Sequence, residues 1–133
     1  MTTGLTKDAG WEIGVSRTLP LPPAVVWDFI ASPAGVELWL GSGVRLPTAK
    51  GEAYETAEGV TGEIRSYRPG DRIRLTHGTS VVQVAVSASR SGAGEKAVLR
   101  FHQEHLADAQ ERERRRSHWQ TVMAEVERAL GVG

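Results

Sequence analysis

The stretch DAQERERRRSHWQTVMAEVERALG, residues 108–131, decides the fold. Within it Trp119, Val122, Met123, Val126 and Leu130 fall at i, i+3, i+4, i+7 and i+11, which is one apolar stripe on a helix. Asp108 followed by Glu111 has the form of a capping box, and Gly131 supplies the left-handed residue that ends many helices. The pattern therefore predicts about 22 helical residues, ~33 Å long at ~1.5 Å per residue. A rod of that length crosses a whole sheet. Its first half, Glu111 to Arg116, shows no apolar face, so only the second half is expected in the core, with the charged half at an edge or over an opening. The interleaved Glu111 and Glu113 offset much of the arginine charge and favour a solvated face over a phosphate-binding run.

Upstream of the helix, residues 41–106 read as a meander of short strands punctuated by glycine and proline. The expected strands are Gly43–Leu46, Glu52–Thr56, Val60–Tyr67, Arg72–His77, Val81–Ala88 and Ala97–Glu104. Arg68-Pro69-Gly70-Asp71 has proline to preset φ and glycine to accept φ > 0, the signature of a type II turn, while Ser91-Gly92-Ala93-Gly94 is a looser hairpin tip. Both joints imply antiparallel neighbours. Near the start, Trp11, Ile13, Val15 and Leu19 alternate with polar or small residues, a period of two that predicts a half-buried strand with Arg17 as its one polar defect. Pro20, Pro22 and Pro23 stop that strand. Pro23 suits the first turn of a helix over Ala24–Ile30, and Ser32-Pro33 caps and restarts a second short helix ending near Gly41. Residues 1–10 are expected to be a flexible tail ahead of a single domain filling the rest of the 133 residues.

The order is strand, two short helices, strands, long helix, and particular residues sharpen it. Leu21-Pro22-Pro23-Ala24-Val25-Val26-Trp27-Asp28-Phe29-Ile30 resembles the entry to the first helix in the heat-shock ATPase-activator-like branch of the START superfamily. Trp39 sits where members carry a tryptophan after the second helix. Leu99, Phe101, Gln103 and His105-Leu106 resemble the family's last strand, and His118-Trp119 with Val122 and Val126 resembles its glycine-tryptophan helix motif. The resemblance spans roughly residues 11–130. It implies an α+β helix-grip fold of the START or Bet v 1 kind, a curved antiparallel sheet wrapped around the C-terminal helix with a cavity between them. His118 departs from the family's glycine, and Gln103 stands where many members have histidine. The family also implies three functions: binding of a small hydrophobic molecule, regulation of a heat-shock chaperone, and polyketide cyclase-like chemistry or sequestration of a reactive metabolite.

Composition narrows these. Sixteen basic residues balance sixteen acidic ones, so no overall field draws the chain to nucleic acid, and no nucleic-acid partner is expected. No apolar run has the length of a signal peptide or a membrane span, which makes a cytoplasmic location with no membrane partner the default expectation. The absence of cysteine removes disulfides, thiolate ligands and a cysteine nucleophile. No nucleophile elbow, P-loop or zinc-protease motif occurs, and no cofactor is implied. His102-x-x-His105 with Glu104 has metal-ligand residue types, but an extended strand sends two residues three apart to opposite faces, so no metal site is expected.

The residues expected to line a cavity are Trp39, Tyr54, His77, Phe101, Gln103, Trp119 and Met123. His77 continues the Ile73 and Leu75 face, and its imidazole either meets a ligand or satisfies a backbone group. Gln103 shares a face with Leu99 and Phe101, where a buried amide needs partners, from a ligand or from within. Trp119 is either core or pocket wall. The expected partner is a small apolar or amphipathic ligand, with a chaperone as the alternative. An acid-base reaction would fall to His77 with Gln103, though the case for an enzyme rests on the superfamily alone.

Overall fold

The computed structural model describes residues 5–6, 10–89 and 95–132. In chain order the elements are β1 (Leu5–Thr6), β2 (Gly10–Leu19), α1 (Pro23–Ala31), α2 (Pro33–Trp39), β3 (Ala53–Glu55), β4 (Thr61–Arg68), β5 (Arg72–His77), β6 (Ser80–Ser89), β7 (Lys96–Leu106) and α3 (Ala109–Leu130). The strands form one antiparallel sheet in the order β1-β2-β7-β6-β5-β4-β3, so the first long strand returns to pair with the last. Leu5 and Thr6, within the expected tail, pair with Trp11 and Gly10. The Ser91–Gly94 hairpin tip lies outside the described residues.

Helix α3 starts and stops as its ends dictate. Asp108 accepts the Glu111 N–H at 2.7 Å, and Gly131 takes φ 76° to close the last turn. Its buried residues are Trp119, Val122, Met123 and Val126, all in the second half. They meet the inward residues of the sheet, Leu75, Val82, Val84, Leu99 and Phe101 among them, all at or near zero exposure. Phe101 and Trp119 stack with centroids 4.9 Å apart. At its far end the helix is tied to β2 by an ion pair between Arg17 and Glu127, which gives the one polar residue of that face its partner.

The two short helices form a sharp corner. Pro23 opens α1, and Ser32 accepts the Gly35 N–H at 3.1 Å to cap α2. Gly35 has no substitute here, because a Cβ would lie 2.0 Å from the Phe29 carbonyl oxygen.

The expected strand over Gly43–Leu46 does not form. Gly41 and Gly43 turn with φ 141° and 74°, and the segment is held by the Ala57 N–H donating to the Ser42 carbonyl. Val44 and Leu46 bury their apolar surface by packing on the core without a ladder, which is why an apolar alternation was present and a strand was not. The Arg68–Asp71 turn follows its sequence: Gly70 has φ 77° and the Asp71 N–H donates to the Arg68 carbonyl at 2.9 Å.

Strand β7 departs from simple alternation. Trp11 faces Leu106 and Ile13 faces Gln103, so two residues of β7 oppose one of β2. His105 takes φ 61° at this bulge. The extra residue turns His105 outward and Leu106 inward, where plain alternation would have done the reverse. His102 on the outer face lies 3.3 Å from Glu12.

Candidate functional site

Between sheet and helix most of the space is filled. What remains open is a cavity of about 230 Å³ at one end, where α2, the β5–β6 hairpin and the middle of α3 converge. Three of the expected residues line it: Trp39, His77 and Trp119. Phe101 and Met123 are fully buried behind it in the core. Gln103 and Tyr54 are also buried and support the lining from behind.

His77 reaches the cavity because it ends β5 at a two-residue loop. Gly78 takes φ 61° at the first loop position, and His77 pairs with Ser80 across the hairpin. Behind the imidazole, the Tyr54 hydroxyl is 2.6 Å from the Thr76 carbonyl oxygen and 3.0 Å from His77 Nδ1. Two oxygens at 2.6 Å need a proton between them, so the tyrosine donates to the carbonyl. Its oxygen then accepts from Nδ1–H. This fixes the His77 tautomer and leaves Nε2 as a lone-pair acceptor. Gly62 leaves room for the arrangement: a Cβ there would sit 1.9 Å from the Thr76 oxygen and 2.6 Å from the Tyr54 hydroxyl. Burial raises the Tyr54 pKa above the ordinary phenol value and keeps it neutral.

Gln103 is spoken for on both sides of its amide. Its Nε2 donates to Ser80 Oγ at 2.8 Å, and Ser80 Oγ donates to the His77 carbonyl at 2.8 Å. Its Oε1 accepts from Arg115 Nε at 2.7 Å and from Trp119 Nε1 at 3.0 Å. The relay runs from the β5–β6 hairpin through β7 to α3 with every polar atom named in it paired, as a buried network requires. The expected pairing of His77 with Gln103 as an acid-base couple is thus corrected. The nearest side-chain partner of His77 is Tyr54, and the Gln103 amide faces Ser80, Arg115 and Trp119.

Two residues of the cavity lining, Arg115 and His118, are not among the expected ones. Arg115 belongs to the charged run expected on a solvated face, yet it lies one turn before Trp119 on the same helix face, and that spacing is its signal in the sequence. Its guanidinium carbon sits 5.6 Å from the Trp119 ring centroid. Arg112, one turn earlier again, also turns in and donates to the Glu12 carbonyl at 2.7 Å beside the bulge. His118 lines the cavity next to Trp119, where the resembled family has glycine.

The electrostatics of the site follow from burial around a cation. Burial, then Arg115, hold His77 below the ordinary histidine range. Burial, Arg115 and His77, in that order, push His118 down to about 4. Both imidazoles are therefore neutral at pH 7. Burial lowers Arg115 too, with Glu111 opposing the shift. At the rim, Glu37 and Glu58 are exposed. The site can accept a hydrogen bond at His77 Nε2, donate from a guanidinium, and offer the edges of two nearly buried indoles. Among the described residues no group of three or more metal-ligating side chains converges.

Comparison with known proteins gives the fold its relatives. No protein-family model matches the chain, and no curated protein matches it. Among solved structures it is similar to protein MLL2253 from Mesorhizobium loti, with a TM-score of 0.75 at 18% identity over 90% of this chain and 96% of that one. DynU16, a protein in the dynemicin biosynthetic locus, matches with a TM-score of 0.70 at 19% identity, over 92% of this chain and 48% of that one. The Aha1 dimer from Colwellia psychrerythraea matches with a TM-score of 0.71 at 10% identity, over 92% and 97%. The chain has the helix-grip fold. Among the described residues no helix is long and apolar enough to cross a membrane.

Proposed function

We propose that the chain is a small-molecule-binding protein of the START-like kind, a single domain that works in the cytoplasm and holds its ligand where α2, the β5–β6 hairpin and α3 meet. One observation carries the reading: Trp39, His77, Arg115 and Trp119, drawn from three separate elements, converge on one unfilled cavity. Polar and charged side chains, Glu37, Glu58, His77, Arg115 and His118 among them, share the lining with apolar ones, so the ligand is held by directed polar contacts as much as by apolar surface. The volume, about 230 Å³, falls below the roughly 300–1,000 Å³ of pockets for drug-sized ligands, so the ligand is compact. Trp39, His77 and Trp119 contact it, while Tyr54, Phe101, Gln103 and Met123 shape the wall from behind. Screening a panel of compact apolar, amphipathic and ionic compounds by tryptophan fluorescence and thermal melting tests this. A ligand that binds the native state must raise the melting temperature. A panel in which no class does so overturns the reading.

A second reading, metabolite chemistry or sequestration, is favoured by the likeness to DynU16 and by the free Nε2 acceptor that the Tyr54 contact leaves on His77. His77→Ala would abolish turnover of a candidate substrate, and unchanged turnover removes it. The likeness to the Aha1 dimer supports a third role, as a heat-shock ATPase regulator-like interaction module. A pull-down with a purified chaperone of that class, showing no complex, counts against it.

A further inference from the structure

Arg115 differs from the other cavity residues in what its side chain lacks. Its Nε is committed to Gln103, and its plane lies over Trp119. Neither Nη nitrogen has a hydrogen-bond or carboxylate partner among the described residues, and neither is sealed from solvent. By contrast, Arg17, Arg65, Arg74, Arg112 and Arg116 all reach a carboxylate. Glu111, one turn before Arg115, acts on it from beyond ion-pair distance. Among the described residues, Arg115 is the only lysine or arginine in the cavity lining. A half-buried guanidinium loses hydration, and that loss is offset only by partners of opposite charge or good hydrogen-bond geometry. Nothing in the described protein supplies them at the Nη end.

We infer that Arg115 is an anion-binding centre that receives the carboxylate of a compact aromatic or unsaturated monocarboxylic acid inside the cavity. The inference rests on the small-molecule reading above and names the chemistry of its ligand. With Nε fixed by Gln103, the two Nη groups present the end-on fork that matches the two oxygens of a planar carboxylate. Gln103 and the Trp119 face hold that fork in place before the ligand arrives, so little rotamer freedom is lost on binding. The body of the acid lies against Leu38 and Val60, the partly exposed apolar residues of the lining, with only the edges of Trp39 and Trp119 within reach. The exposed carboxylates of Glu37 and Glu58 at the rim discriminate against dianions such as phosphate monoesters, whose second charge would face them. His77 Nε2 can accept a hydrogen bond from the hydroxyl of a hydroxylated acid.

Matched probes test the inference on the intact protein. Benzoate, 4-hydroxybenzoate and cinnamate are titrated beside their primary amides, following the Trp119 Nε1–H resonance by NMR. The acids are expected to bind roughly tenfold or more tighter than the amides, as loss of a charge-assisted pair implies. Arg115→Gln is expected to erase that preference, and Arg115→Lys to retain only part of it because the fork is lost. Thermal melts of both variants confirm that they are folded, and the acid-against-amide comparison in the unaltered protein does not depend on them. Equal binding of acid and amide overturns the anion centre while leaving the small-molecule reading intact. Binding of neutral compounds alone from the wider panel does the same. Failure of every probe and every panel compound overturns both.

Discussion

The side-chain oxygen of Gln103 accepts the indole N–H of Trp119 at 3.0 Å, joining the last strand to the middle of the long helix inside the core. The same oxygen also accepts from Arg115, and the amide nitrogen donates to Ser80. Gln103→Leu keeps much of the volume but leaves an indole N–H, a guanidinium N–H and a serine oxygen without their partner. The expected cost is at least about 3 kcal/mol, since each of the three stranded groups carries about 1–3 kcal/mol of lost hydration. Denaturant melts measure it. Ser80→Ala, which strands the Gln103 amide nitrogen, is expected to cost about 1–3 kcal/mol.

The contrast between Gln103 and Arg115 shows what the sequence could reveal. The apolar stripe on residues 119–130 is a local, periodic signal, so it fixed helix α3, its caps and its buried face. The alternation in β2 and β5–β7 likewise followed from burial of one sheet face. Gly43–Leu46 failed because alternation reports which side chains are buried and not whether the backbone finds a ladder. The His105 bulge was invisible for a related reason: an extra residue depends on the register with β2, a relation between segments some ninety positions apart in the chain. The cavity suffers most from this. Trp39, His77 and Trp119 could be nominated as aromatic or polar residues on inward faces, but Arg115 was masked by its neighbours Arg114 and Arg116, which do face solvent.

Trp119 distinguishes wall from core. It is 1% exposed, stacked on Phe101 and bonded to Gln103, although its edge touches the cavity. Trp119→Ala should therefore behave as a core truncation, costing about 3–5 kcal/mol in a denaturant melt. A loss well under 2 kcal/mol would mean that the indole lines open space. Trp119→Phe keeps the stack and loses the N–H, so its cost should be intermediate.

Gly62 carries a steric constraint that reaches the cavity through Tyr54. A methyl group at this position would collide with the Thr76 carbonyl and press on the Tyr54 hydroxyl. Gly62→Ala is expected to destabilise the fold by roughly 1–3 kcal/mol, the usual range for forcing an extra carbon into a packed site. It should also loosen the His77 tautomer, because the oxygen that accepts Nδ1–H is displaced. Imidazole ¹⁵N shifts should move from a single Nδ1–H form toward a mixture. Unchanged shifts with a folded variant would contradict the tyrosine-based assignment.

The two cavity imidazoles make folding stability depend on pH in a set direction. His118 titrates at about 4 in the folded protein against 6.5 as its ordinary value, and His77 is shifted the same way. The unfolded chain thus binds more protons between these values, and stability rises with pH across that window. Above about 6.5 both states are neutral at these positions, so the stabilisation they allow is complete; as pH falls toward about 4 it is lost. Arg115 acts on both rings from the same lining, with Glu37 and Glu58 at the rim and Glu111 a turn away on the helix. Other groups contribute their own slope, so the informative quantity is a difference. Melts at pH 4.5, 5.5 and 7.5 should show a shallower dependence in His118→Gln than in the unaltered protein. An identical slope in the two would mean that His118 titrates normally and that the cationic, half-buried environment around it is wrong.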